Sequence, residues 1–101
     1  MIRHTVVFRL KASKHSSEER AFLHAAEELA AIPGVENLVF LRQVNPQYPF
    51  DYCLSMEFAG MEDYQRYNER PAHAQFVSIR WIPEVSTYME LDYEALTMKG
   101  A

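Results

Sequence analysis

Three stretches of this chain alternate apolar and polar residues with period two, and their order around two helical stretches leaves few folds open. Residues 2 to 10 place Ile2, His4, Val6, Phe8 and Leu10 on one side and Arg3, Thr5, Val7 and Arg9 on the other. That is the mark of a strand with one strongly apolar face. Tyr52, Leu54, Met56 and Phe58 against Cys53, Ser55 and Glu57 repeat it, and Thr87, Met89, Leu91 and Tyr93 alternate with Tyr88, Glu90 and Asp92. Between 35 and 44, the residues Val35, Leu38, Val39, Phe40, Leu41 and Val44 put apolar groups on both faces, which predicts a strand covered on both sides.

Helical spacing fills the gaps. After a polar loop over 11–15, Ser16 with Glu19 three residues later forms a capping box. Phe22, Ala25, Ala26 and Leu29 follow on one stripe, with Glu18, Glu27 and Glu28 on the wet face. The small Ala25 and Ala26 let this helix approach a sheet closely or leave space beside it. Pro33-Gly34 ends the helix, and Asn45 to Pro49 is a turn. Gly60 opens a second helix with Tyr64 and Tyr67 one turn apart. Pro71 breaks it and starts a further stretch with His73, Phe76, Val77 and Arg80 at i, i+3, i+4 and i+7, which Pro83 closes.

The order β-α-β-β-α-β is the split-βαβ pattern of ferredoxin-like α+β domains, a four-stranded antiparallel sheet with helices on one face. Val7, Val39 and Leu41 then fall on the helix-free face, an apolar surface that a second copy of the chain would cover. One domain is expected over residues 1–94, with a loose tail over 95–101.

Composition narrows the function. With 101 residues there is one core, and a dimer would add buried surface to a small domain. The net charge of −4 and the scattered Lys and Arg argue against nucleic acid and anionic membranes, which need a basic field. No apolar run approaches the length of a spanning helix. The start, Met1-Ile2-Arg3-His4, does not read as a signal peptide, and Cys53 stands alone, so the expected location is cytoplasmic. There is no Gly-rich phosphate loop, no GxSxG, and no histidine pair at i, i+4 on one helix, so no cofactor and no metal are expected.

The chain resembles the stress-responsive α/β-barrel family, the Dabb proteins, within the dimeric α+β barrel superfamily. The resemblance runs from Ile2 to Glu94. It is carried by Ile2-Arg3-His4-Thr5-Val6-Val7-Phe8, Ile32-Pro33-Gly34-Val35, Phe50-Asp51-Tyr52-Cys53-Leu54, Met56-Glu57-Phe58, Tyr67-Asn68-Glu69-Arg70-Pro71-Ala72-His73-Ala74-Gln75-Phe76-Val77 and Leu91-Asp92-Tyr93. It implies a homodimer, a dimeric α+β barrel whose two sheets meet face to face. It does not imply one reaction. One plant member is a polyketide cyclase that closes a linear tetraketide with a histidine and a tyrosine, which align with His73 and Tyr67. A second pocket histidine aligns with His4, and Val6, Phe8, Phe22 and Phe76 would be pocket walls. Two departures bear on substrate. Arg70 precedes Pro71 where the family usually has His, and Ala25-Ala26 stand where the cyclase has a tyrosine.

The residues suit that chemistry. His73 lies on an apolar stripe in a helix's first turn, where the dipole disfavours imidazolium, so a neutral base is expected. Tyr67 would donate a hydrogen bond to a carbonyl gaining enolate charge, with His4 as a further polar partner. The alternative is that both histidines are structural. His15 and His24 are expected in solvent. Trp81 and Tyr88 fit either a pocket for a flat ligand or the dimer seam. The expected activity is a small cofactor-free cyclase, isomerase or lyase acting on an apolar or aromatic enolisable carbonyl compound. Two other readings stand beside it: a non-catalytic stress-responsive dimer packed without a pocket, and a cofactor-free oxygenase or haem-handling protein.

Overall fold

The computed structural model describes residues 1–98. The chain forms β1 (Ile2–Leu10), α1 (Ser17–Glu27) with a 3-10 turn after it (Glu28–Ala31), β2 (Glu36–Arg42), β3 (Tyr52–Phe58), α2 (Met61–Glu69), α3 (Pro71–Phe76) and β4 (Val85–Glu94). The strands are antiparallel in the order β2-β3-β1-β4. This is the ferredoxin-like βαββαβ arrangement, with both helical layers on one face.

Register decides which residues share that face. His4 lies opposite Met56 and Asp92, Val6 opposite Leu54 and Glu90, and Phe8 opposite Tyr52 and Tyr88. On β1 and β3, the two middle strands, this row is buried together with Phe22 and Leu29 of the first helical segment and Tyr64 and Tyr67 of α2. On β4 the same row is exposed. The opposite face carries Val7, Val39, Leu41, Met89, Leu91 and Tyr93, and no element among the described residues covers it: Leu41 is 56 % and Tyr93 51 % exposed.

Two expectations change. The second strand is covered on one side within the chain, not both: Leu38 and Phe40 pack on the core while Val39 and Leu41 face outward. Its register also shifts between Glu36 and Val39, where Asn37 takes a positive φ of 51°. The helix beginning at Pro71 is not closed at Pro83 but continues through a π turn (Val77–Trp81) and a last turn (Ile82–Glu84). There the Ile82 N–H donates to the Val77 carbonyl, five residues back. This wider turn moves the chain off the α path on which a proline ring meets a carbonyl. The strand after it ends at Glu94, residues 95–98 have no regular structure, and 99–101 of the expected tail lie outside the described residues.

Gly34, at φ 94°, makes the turn after Pro33. The capping box forms with one variation. Ser16 Oγ accepts from the Glu19 N–H at 3.1 Å, while the Glu19 carboxylate accepts from the N–H of His15 rather than of the cap residue. Glu19 is 2 % exposed and also pairs with Arg42 of β2, whose guanidinium lies 5.4 Å from the centre of the Tyr52 ring. One carboxylate therefore fastens the start of α1 to β2 and β3. Burial acts most strongly on Glu19 and raises its pKa, but Arg42 and the His15 N–H together outweigh it and hold the carboxyl below its ordinary value. A depressed folded-state pKa contributes stability above the unfolded value, and that stability is lost as pH falls through the folded one. Glu19→Gln is expected to lower unfolding free energy at neutral pH by about 1–2 kcal/mol. Denaturant titrations from about pH 7 to 3 should show the wild type losing part of its advantage over the variant on acidification.

Candidate functional site

A cavity of about 480 Å³ opens where the helical cover passes from β1 to β4. Its floor is His4 and Val6 of β1 with Leu54 of β3; Tyr67, His73, Phe76 and Trp81 come from the helical segment, and Tyr88 and Glu90 from β4. The volume is within the range of small-molecule sites.

His4 is 5 % exposed, and its Nδ1 lies 2.6 Å from Asp92 Oδ1. Tyr64 Oη is 3.0 Å from that nitrogen and 3.0 Å from Asp92 Oδ2. With Nδ1–H donating to the carboxylate, Nε2 is left as the acceptor. Burial first, and then Asp92, push the Tyr64 pKa well up, so its hydroxyl stays a donor to the carboxylate. The three side chains tie β1, β4 and α2 together at the cavity floor.

Tyr67 differs. It is 2 % exposed and lines the cavity, and its hydroxyl has no hydrogen-bond partner among the described residues. Burial, with smaller effects from Tyr64 and Glu90, raises its pKa and keeps it protonated. The His73 ring sits 4.6 Å from the Tyr67 ring, centre to centre, and is half-buried. Its pKa is lowered, chiefly by burial and further by His4, against opposing effects of the Asn68 backbone and Glu90. A neutral imidazole and a protonated phenol thus stand side by side.

The structure brings His4, Val6, Tyr67, His73 and Phe76 to one cavity. Phe8 and Phe22, read as walls, are instead fully buried behind them. Phe8 packs 5.0 Å from Trp81, and Phe22 5.7 Å from Phe76. Trp81 and Tyr88 meet edge to face at 5.6 Å at the cavity, not on the outer sheet face. His15 and His24 are exposed. The space expected beside Ala25 is a second groove of about 550 Å³ on the other side of Leu29 and Phe76. Sequence reasoning missed Asp92, Tyr64 and Glu90 as site residues. The available signal was phase: Tyr88, Glu90 and Asp92 alternate together, and an antiparallel pairing of first and last strands sets them across Phe8, Val6 and His4. Among the described residues no group of three or more His, Cys, Asp or Glu side chains is placed to hold a metal ion, and no helix is long and apolar enough to cross a membrane.

The family model for the stress responsive A/B barrel domain, Dabb, matches residues 2–95. The chain belongs to the Dabb family. A Dabb protein with a ferredoxin-like fold from Mesorhizobium loti is 48% identical, at a TM-score of 0.91 with 95% of this chain and 97% of that one covered. More distant structures share the fold. A dimeric ferredoxin-like protein of unknown function from Thermobifida fusca is 21% identical (TM-score 0.76, covering 93% and 90%). The hydroxynitrile lyase from Passiflora edulis is 17% identical (TM-score 0.79, covering 91% and 90%). No curated protein sequence matches the chain.

The hydrogen bonds at His4 have a spectroscopic consequence. In nitrogen-15 correlation spectra recorded across a pH titration, the neutral His4 ring is expected as the Nδ1–H tautomer, shifting toward Nε2–H in Asp92→Asn. In the same titration His73 should take up its proton below the ordinary histidine value of 6.5.

Proposed function

We propose that this Dabb domain is a cofactor-free general acid–base enzyme, working as a homodimer, that acts on a small enolisable carbonyl compound held under its helices. The observation that carries this reading is the Tyr67 hydroxyl, without a hydrogen-bond partner among the described residues, beside a half-buried His73 in a cavity large enough for a ligand. A polar group left without a protein partner in a buried site is matched by one on a ligand. A carbonyl oxygen is the natural acceptor.

In this reading His73 removes a proton from the carbon next to the carbonyl, and its imidazole becomes imidazolium. Tyr67 donates to the oxygen as it gains enolate charge. His4, with Nδ1–H committed to Asp92, presents Nε2 to accept a hydrogen bond from a substrate hydroxyl. When the enolate carbon adds to a second carbonyl, the imidazolium passes its proton to the alkoxide oxygen so formed; where no addition follows, the proton returns to carbon. The cavity favours this over a dimer packed without internal space, and the shared fold with a hydroxynitrile lyase is consistent with carbonyl chemistry on this scaffold.

Support for the homodimer comes from the outer sheet face. Six apolar side chains stand there in adjacent rows, a surface that a second sheet of the same kind would bury. The dimeric Thermobifida fusca structure has the same fold. Light scattering is expected to give twice the 11.8 kDa chain mass, and Leu41→Lys with Leu91→Lys should give the monomer mass. A wild-type monomer would remove the dimer from this proposal.

Activity is testable without the natural substrate. Exchange of the methyl protons of acetophenone in deuterium oxide, followed by proton NMR, should be accelerated by the wild type. His73→Ala should lose about 10²-fold or more of that acceleration and Tyr67→Phe about 10-fold or more, both as intact dimers. A His73→Ala protein that keeps full exchange activity, or that only loses its dimer, makes the histidine structural.

A further inference from the structure

Charge around the cavity is one-sided. Among the described residues its lining contains no Lys or Arg side chain and one carboxylate, that of Glu90, at the open β4 side. Glu90 lies across β1 from Val6, on the same face as the cavity floor. It makes no ion pair among the described residues. A second carboxylate, Asp92, stands behind His4. Arg3 is paired with Glu57 and Arg80 with Glu84, outside the cavity lining. His73 is held toward its neutral form, so it adds no lasting positive charge.

We propose, building on the carbonyl reading above, that Glu90 makes this cavity selective against anions: it takes uncharged enolisable carbonyl compounds and rejects their carboxylate- or phosphate-bearing counterparts. An anionic ligand would lose hydration on entering a partly apolar space and find no cation to replace it. It would also meet the Glu90 charge. At about 7 Å and an effective dielectric near 40, that repulsion alone corresponds to about a tenfold loss of affinity. An uncharged ligand escapes both effects and keeps its hydrogen bond to Tyr67. The class so defined is neutral ketones and aldehydes, and it excludes keto acids and acyl phosphates, whose charge would have to enter the cavity with the carbonyl.

The test uses two ketones of nearly equal shape, 4-nitroacetophenone and 4-acetylbenzoate, whose para groups are both planar and differ in charge. Ligand-observed NMR titrations at about pH 8, where ordinary imidazoles are neutral, give both dissociation constants. For the wild type, the nitro compound is expected to bind at least tenfold more tightly. In Glu90→Gln that ratio should fall below about threefold, and in Glu90→Lys it should reverse. Position 90 is exposed, so both variants are expected to fold, which circular dichroism checks. Equal affinities in the wild type, or a ratio unchanged in Glu90→Gln and Glu90→Lys, overturn the selectivity while leaving the carbonyl reading intact. If neither ketone binds the wild type, the carbonyl reading itself falls and the selectivity falls with it.

Discussion

The hydrogen bond between His4 and Asp92 is the interaction on which the rest of the site depends. An imidazole on a middle strand, shut off from water, must give its Nδ1–H to something, because an unmet buried donor costs about 1–3 kcal/mol. The register of β1 against β4 places a carboxylate directly opposite. Tyr64 then completes the arrangement from α2 by donating to the same carboxylate. Three elements far apart in sequence are thereby fixed at one point. The ring of Tyr67, one turn along from Tyr64, is held over the cavity as a result.

The cavity follows from how little helix there is. Helical cover buries the inward rows of β1 and β3, the two middle strands, and thins out at β4, whose inward row stays open to solvent. Where α3 descends toward β4 it passes through a π turn, and Trp81 at the end of that turn packs on Phe8 of β1 and meets β4 only edge to face, at Tyr88. The gap left between Trp81, Tyr88 and the floor is the space available to a ligand. Turns of this kind recur at functional sites because they redirect a side chain without ending the helix.

Most of the fold was legible in the sequence because strand alternation is strict where one face alone is buried. Ile2 to Leu10 and Tyr52 to Phe58 read directly as strands with a known inner face, and the structure buries that face of each. The last strand was harder: Thr87, Met89, Leu91 and Tyr93 are the more apolar set, yet they face away from the helices. Periodicity gives the two faces of a strand but not which one points inward when both carry large side chains. For the same reason Asp92 and Glu90 went unassigned, since their place opposite His4 and Val6 is a matter of register. Phe8 and Phe22 were placed on the right face but at the wrong depth. Alternation and helical stripe put them under the helices, and only the three-dimensional packing sets Trp81 and Phe76 in front of them.

The two carboxylates of β4 show how much position matters beyond residue type. Glu90 and Asp92 share a strand face one pleat apart, and both look toward the cavity floor. Asp92 has His4 and Tyr64 within hydrogen-bond distance, so its charge is already answered and its work is to orient an imidazole. Glu90 faces Val6, an aliphatic side chain with no donor, and its field therefore extends into the cavity, where it acts on Tyr67 and His73. A carboxylate with partners builds a site; one without partners acts on whatever enters it. The difference rests on one register step between β1 and β4, and that step sets both the tautomer at the floor and the charge at the mouth.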